Sequence, residues 1–320
     1  MIRKRIFKIF LIILAVIALT AAGGYAYIYS QLNKINHVEI AQTDDELGIT
    51  NDEVNVAIGE EEVPEASADL DSDITNIALF AISTEINNEP FSSDSIIVMS
   101  IDKRHDKIKL ISILRDTSVN IEGYGMSKIN TAYAKGGPEL AIKTLNSNFN
   151  LNIRDYATVQ EEGFREIIDA LGGVEIYIKE YEVAFVKEFG IMKSGTYNLS
   201  GGEAFMYCSE RNKGDGDFER SERQRTVLAK VFEKIKSAGI TQYPALASAM
   251  MKYVETSLTV DEILQLGTSV FLENINTIEQ ARYPTDGYYR MELSDYSLVT
   301  DLEGTSALIH EFIYEEEQQR

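Results

Sequence analysis

The chain opens on MIRKRIFK, four positive charges with no negative one, and continues into IFLIILAVIALTAAGGYAYIY, residues 9–29, which carry no charge at all. Twenty-one uncharged, mostly apolar residues match the length a helix needs to cross the hydrocarbon core of a bilayer, about 30 Å. The basic flank lies on the N-terminal side. The positive-inside rule then puts the N-terminus in the cytoplasm and everything after residue 29 outside, with Tyr25, Tyr27 and Tyr29 at the outer interface. The reading is a single-pass transmembrane helix over 9–29 behind a cytoplasmic stub at 1–8. A cleaved signal peptide is the competing reading, with Ala21-Ala22-Gly23 as its candidate site.

The next segment narrows the organisation further. Residues 38–73 hold 13 Asp and Glu and no Lys or Arg, and no apolar period runs through them. The stretch 30–73 therefore reads as an acidic, solvated linker, with the folded domain spanning 74–320, its core at about 74–240 and a C-terminal part at 241–320. The whole chain of 320 residues has a formal net charge of -21, which excludes a general nucleic-acid binder because phosphate backbones need a basic surface. One cysteine, Cys208, and three scattered histidines exclude a disulfide framework and make a His-built zinc site improbable. Chemistry in this chain falls to carboxylates, Arg, Lys and hydroxyls.

Within the domain, ITNIALFAIS (74–83), SIIVMSI (95–101) and KIKLISIL (107–114) are short β-branched runs that read as neighbouring strands. Gly136-Gly137-Pro138 opens a helix, YATV (156–159) is a strand, and EGFREIIDALGG (162–173) is a helix stopped by paired glycines before the strand VEIYI (174–178). Residues 179–198 show no clear period and read as a long loop or lid. SGGEAFMYC (200–208) and FERSERQRTVLAKVFEKIKSAG (218–239) are helical, as are 245–254 and 260–273, and the tail from Ala281 mixes strand and helix. Strands alternating with helices give an α/β fold.

Four places break these patterns. Ser93-Asp94 stands at the mouth of a strand, where a carboxylate suits a hard cation or simply a turn. Arg115-Asp116 follows KIKLISIL at the carboxyl end of a strand, facing the crevice where α/β folds bind ligands, or forms a local ion pair. Arg211 follows a helix in the run 209–212. In the helix opening at Asp217, Arg220 and Arg223-Gln224 continue the apolar stripe of Val227, Leu228, Val231 and Ile235. Arginines near a helix N-terminus oppose its dipole and call for an anion; pairing with Glu219 and Glu222 is the alternative. Several arginines with few carboxylates, on a domain outside the membrane, point to a lipid-linked pyrophosphate.

The order SDSIIVMSI, LRDTSV, KIN-x-AY-x-x-GGP, D-x-LGGV and R-x-x-RQ resembles the LytR-CpsA-Psr family over roughly residues 74–240 and less tightly to about 315. The resemblance implies an α/β/α sheet flanked by helices, with a hydrophobic tunnel for a polyprenyl tail. It implies a phosphotransferase of the Gram-positive envelope. Such an enzyme moves a glycopolymer (teichoic acid, capsular or related polysaccharide) from undecaprenyl pyrophosphate to the C6 hydroxyl of N-acetylmuramic acid in peptidoglycan. By matching position, Asp94 is an Mg²⁺-associated carboxylate, with Mn²⁺ the other candidate ion. Arg115 binds pyrophosphate with Asp116 supporting it, and these three are the expected catalytic residues. Arg211, Arg220, Arg223 and Gln224 complete the clamp, and Lys128, Asn130 and Tyr133 shape the site.

The sequence departs from the family pattern in three places. The end of the first strand reads Phe80-Ala81-Ile82-Ser83, with no acid where the family has a second metal carboxylate. The following loop has no arginine. Ser209-Glu210-Arg211 carries one arginine where the family has two. Glu85 and Asp116 are the candidate substitutes. These departures leave a second expectation open, a weakly or non-catalytic polyprenyl-phosphate-binding envelope protein with a regulatory or interaction role.

Overall fold

The computed structural model describes residues 27, 29, 30, 32–50, 73–82, 92–211, 216–237, 243–272, 275 and 277–314. The basic stub at 1–8, expected in the cytoplasm, and all but Tyr27 and Tyr29 of the apolar segment expected to span the membrane lie outside these residues. Among the described residues no helix is long and apolar enough to cross a membrane.

Among the described residues, thirteen strands and eight α-helices have defined bounds and follow one another in chain order. The strands are β1 (Asn36–His37), β2 (Ile74–Ile82), β3 (Ser93–Asp102), β4 (Lys107–Ile113), β5 (Thr117–Ile121), β6 (Gly125–Lys128), β7 (Asp155–Gln160), β8 (Val174–Ile178), β9 (Gly195–Leu199), β10 (Val254–Thr256), β11 (Thr277–Tyr283), β12 (Tyr289–Glu292) and β13 (Ser297–Thr300). The helices are α1 (Asn130–Phe149), α2 (Glu161–Ala170), α3 (Val183–Val186), α4 (Gly201–Ser209), α5 (Asp217–Ser237), α6 (Tyr243–Tyr253), α7 (Val260–Leu272) and α8 (Leu302–Tyr314).

A mixed seven-stranded sheet in the order β1-β10-β7-β2-β3-β4-β11 forms the frame. Its central strands are apolar on both faces, as burial on both sides requires. In β2, Ala78, Phe80 and Ile82 join Ile142, Phe149, Ile309 and Ile313 in the layer under α1 and α8. Ile77 points the other way, with Ile97, Met99 and Leu110, against Ala229 and Phe232 of α5 and Leu266 and Val270 of α7. A sheet between two helical layers is the α/β arrangement expected from the strand and helix alternation. A third cluster joins the β8–β9 hairpin, α2 and α4 to Val227 and Val231 of α5. A smaller sheet, β12-β13-β5-β6, flanks the frame.

Two expectations are corrected. Residues 32–50 are part of the fold, where the linker reading placed the domain start at 74. β1 pairs with β10, and Leu47 is fully buried in the layer under α1. The acidic composition of this stretch hides a few apolar anchors too irregularly spaced to form a period. Residues 179–198 are packed structure and not an open loop. Val183, Val186 and Ile191 are buried, and β9 pairs with β8 along its length. Its short helical turns and hairpin strand succeed one another too quickly for any one periodicity to emerge.

Candidate active site

β3 and β4 run antiparallel, with Ile97 opposite Ser112, so the start of β3 lies beside the end of β4. This brings Asp94, the second residue of β3, to the edge where the chain leaves β4. There Thr117 donates from both its backbone N–H (3.0 Å) and its hydroxyl (2.6 Å) to the Leu114 carbonyl. That tight turn throws Arg115 and Asp116 out of the sheet. The N-terminus of α5 crosses the same edge and delivers Asp217 and, one turn on, Arg220.

Arg115 is the hub. Its Nε donates to Asp217 Oδ2 at 2.8 Å and its Nη1 to Asp94 Oδ1 at 2.9 Å. Arg211 closes from the other side, at 3.5 Å from Asp94 and 3.8 Å from Asp217. Arg220, with its side chain 5% exposed, lies 3.4 Å from Asp217 and donates to the Asp94 carbonyl at 2.5 Å. Its Nε is buried without a partner. Lys128 holds Asp116 at 2.8 Å.

The electrostatics follow from this crowding. Burial pushes the Asp217 carboxyl up, but the guanidinium groups of Arg220 and Arg115 outweigh it and hold the carboxyl below its usual range. Burial alone would lower Arg115, and Asp217 beside it raises it instead. Burial brings Arg220 down to about 10 against the pull of Asp217, with Arg115 and Arg211 repelling it further. Four cations thus face three carboxylates. Of these groups Asp94, Arg115, Asp217 and Arg220 line a small pocket whose walls also include Ser112 and Gln224. Planar guanidinium forks bind phosphate oxygens bidentately, and the N-terminal end of α5 favours an anion through its dipole.

Of the residues expected from sequence, Asp94, Arg115, Asp116, Lys128, Arg211, Arg220 and Gln224 gather at this edge. Arg223 does not reach the pocket. Its guanidinium turns back to cap α4, donating to the carbonyls of Tyr207 at 3.0 Å and Glu210 at 2.5 Å. It lies over the rings of Phe185 (5.1 Å) and Tyr207 (5.7 Å). It thereby ties the segment bearing Arg211 to the helix bearing Arg220. Asn130 supports the site through its backbone, whose N–H meets the Arg115 carbonyl at 3.2 Å. Tyr133 belongs to the core, with its hydroxyl 3.0 Å from that of Thr158 and its ring edge-on to Phe80.

Sequence reasoning missed Asp217. The signal was available, since it sits three residues before Arg220 on the same helix face. Among the described residues no group of three or more His, Cys, Asp and Glu is arranged to hold a metal. Asp94 and Asp217 do sit on adjacent nitrogens of one guanidinium, and a pair of carboxylates completed by substrate phosphates is the usual donor set for Mg²⁺. The residues present fit that ion.

The profile of the LytR_cpsA_psr family matches residues 28–306. The chain belongs to this family. It is 31% identical over 284 residues to the polyisoprenyl-teichoic acid–peptidoglycan teichoic acid transferase TagU of Bacillus cereus, covering 88% of this chain and 89% of that one. Among solved structures, TagT bound to LI-WTA superposes with a TM-score of 0.65 at 22% identity, over 87% of this chain and 99% of the other. TagT with bound octaprenyl pyrophosphate lipid gives 0.61 at 21%, over 87% and 99%. The family match begins at residue 28, in keeping with the packing of residues 32–50 on the domain.

Proposed function

We propose that this LytR_cpsA_psr protein is a phosphotransferase that moves a glycopolymer from a polyprenyl pyrophosphate carrier to peptidoglycan, forming a phosphodiester. The reading rests on one observation above all. Arg115, Arg211 and Arg220, carried by three separate segments, converge on Asp94 and Asp217, and Arg115, Arg220 and both carboxylates line one pocket. The teichoic acid transferase name of the B. cereus relative and the pyrophosphate lipid in TagT support it.

Phosphoryl transfer passes through a loose transition state that asks the protein mainly for positioning and charge. Arg115 and Arg220 grip the pyrophosphate, and Arg211, half exposed, closes over it. The acceptor hydroxyl attacks the glycopolymer-side phosphorus in line, its bond to the bridging oxygen breaks, and the lipid monophosphate leaves with that oxygen. The arginines meet the charge that gathers on it. Asp94 and Asp217 would hold Mg²⁺, which would supply neutralisation of the phosphate charge. Asp116, fixed by Lys128, steadies the turn that aims Arg115. The partly buried Leu79, Leu228, Phe232, Leu258, Leu266 and Val270 line the layer between sheet and helices, and this is the proposed course of the polyprenyl tail. Residues 9–29 anchor the chain in the cell membrane with the domain outside.

The test uses the full chain with a polyprenyl-pyrophosphate saccharide, Mg²⁺ and peptidoglycan oligomers. Transfer product is expected, and it disappears in Arg115→Ala and Asp94→Ala. The apolar Phe80-Ala81-Ile82 at the end of β2 favours a second reading, a polyprenyl-phosphate-binding envelope protein without efficient catalysis. Tight lipid binding with no Mg²⁺-dependent turnover selects that reading over the first.

A further inference from the structure

Two guanidinium groups beside the pocket have no role in the site described above. Arg225 on α5 is 6% exposed. Its Nη1 makes one long bond, 3.4 Å, to Ser221 Oγ, and its Nε is buried without a partner. Glu222, the acid one turn before it, is occupied by Lys179 at 2.8 Å. Among the described residues no carboxylate stands within ion-pair distance of Arg225. Arg282 on β11 stacks on the Phe218 ring at 4.3 Å. Its Nη2 lies 3.3 Å from Asp286, whose side chain is 84% exposed, and its Nη1 is buried with no partner.

Burial, only partly offset by Glu222 and reinforced by the like charge of Arg282, brings Arg225 down to about 10. A buried, unpaired guanidinium beside another cation destabilises a fold unless an anion meets it. The register supplies a third donor. Arg282 pairs with Ser112 across β4 and β11, and Ser112 Oγ is also buried without a partner. Ser112 and Ser221 both line the pocket of Arg115 and Arg220, so the two arginines adjoin its wall.

We infer that Arg225, Arg282 and Ser112 form a second anion subsite, adjoining the pocket of Arg115 and Arg220, that takes a phosphate group of the donor substrate. The inference rests on the transferase reading for the identity of that substrate. Donors arriving from a helix and two strands suit a tetrahedral group with three accessible oxygens better than a planar carboxylate. Two donor phosphates have this chemistry: the polyprenyl monophosphate released by transfer, and a phosphodiester within the glycopolymer.

The test begins with inorganic phosphate and the full chain, followed by thermal unfolding and by ³¹P NMR titration. Phosphate raises the unfolding temperature of the wild type. In Arg282→Gln its affinity for the second subsite falls about tenfold or more, as for the loss of charge-assisted hydrogen bonds. Arg225→Gln loses the same phosphate effect, yet without phosphate it unfolds no lower than the wild type, because an uncompensated buried charge has gone. Arg282, whose side chain is 22% exposed, keeps the test intact if Arg225→Gln fails to fold. Phosphate protection that is equal in the wild type and both variants, or that is lost only in Arg115→Gln, overturns the subsite. Failure of Arg115→Gln to alter any phosphate response instead counts against the transferase pocket itself. Transfer assays then separate the sources. Loss of product inhibition by polyprenyl monophosphate in Arg282→Gln assigns the leaving group. A raised KM confined to donors with phosphodiester repeats assigns the polymer. Neither change, with phosphate binding lost, overturns the assignment to the donor.

Discussion

Arg115 and Asp217 stand 102 positions apart in the chain and meet at 2.8 Å through the guanidinium Nε. The contact joins the turn after β4 to the first residue of α5, and it leaves Arg115 Nη1 for Asp94. Both carboxylates are thereby held in place before any substrate arrives. Asp217→Asn keeps the shape and removes the charge. It is expected to lower kcat by about 10²–10³, the range seen when one charge-stabilising group is lost, with a smaller change in KM. Steady-state kinetics on the purified variant measures both.

The same carboxylate gives a pH dependence of defined sign. Asp217 is held below its usual value in the folded state. Its contribution to stability is therefore full above the unfolded carboxylate value of about 3.9 and is lost as pH falls through the lower folded value. Urea unfolding of wild type and Asp217→Asn should differ by a constant amount at neutral pH and converge below about pH 4. A gap that widens on acidification contradicts the assignment.

Arg223 acts on the site through Arg211. Arg223→Ala removes two hydrogen bonds to helix-end carbonyls and two ring contacts from a residue 2% exposed, for an expected loss of about 2–4 kcal/mol. Arg223→Lys cannot make both bonds and rescues little. Chemical denaturation gives the stability, and a raised KM for the pyrophosphate donor in the surviving fold reports displacement of Arg211.

Gly201 opens α4 against α2. A Cβ there would fall on the Arg165 carbonyl, closer than real Cβ atoms approach backbone. Gly201→Ala should cost about 1–3 kcal/mol, read as a lower unfolding temperature, whereas Gly202→Ala, with open space around it, should be close to neutral.

Leu47 tests the limits of the domain. It is fully buried, so Leu47→Ala should cost about 2–5 kcal/mol, measured by denaturant unfolding. A residue in a solvated tether would cost nothing.

The elements that sequence resolves well are those whose pattern persists for several residues. The β-branched runs of β2, β3 and β4, the amphipathic α5 and the Gly172-Gly173 stop after α2 all stand where periodicity and turn chemistry put them. The site was legible as a set of arginines because Arg220 breaks an apolar stripe and Arg115 ends a strand. It was less legible in its partners. Whether Arg223 faces the pocket or the end of α4 depends on a few tens of degrees around the helix axis, which a stripe of Val227 and Val231 does not fix. Asp217 looked like an ordinary first-turn acid, because its distinguishing neighbour, Arg115, is brought to it only by the sheet edge. Leu47 and the 179–198 segment went unseen because single apolar anchors and short turns carry no period.

The central claim is that the cluster of Arg115, Arg211 and Arg220 transfers a phosphate-linked saccharide and does not merely hold its carrier. The most direct measurement is a single-turnover reaction of the full chain with polyprenyl-pyrophosphate saccharide labelled in the sugar, followed for label on peptidoglycan and for released lipid monophosphate together. The account predicts equal amounts of both, formed with Mg²⁺ and absent in Arg115→Ala. Label transfer undiminished in Arg115→Ala, or a lipid carrier that stays bound and intact in the wild type, would contradict it.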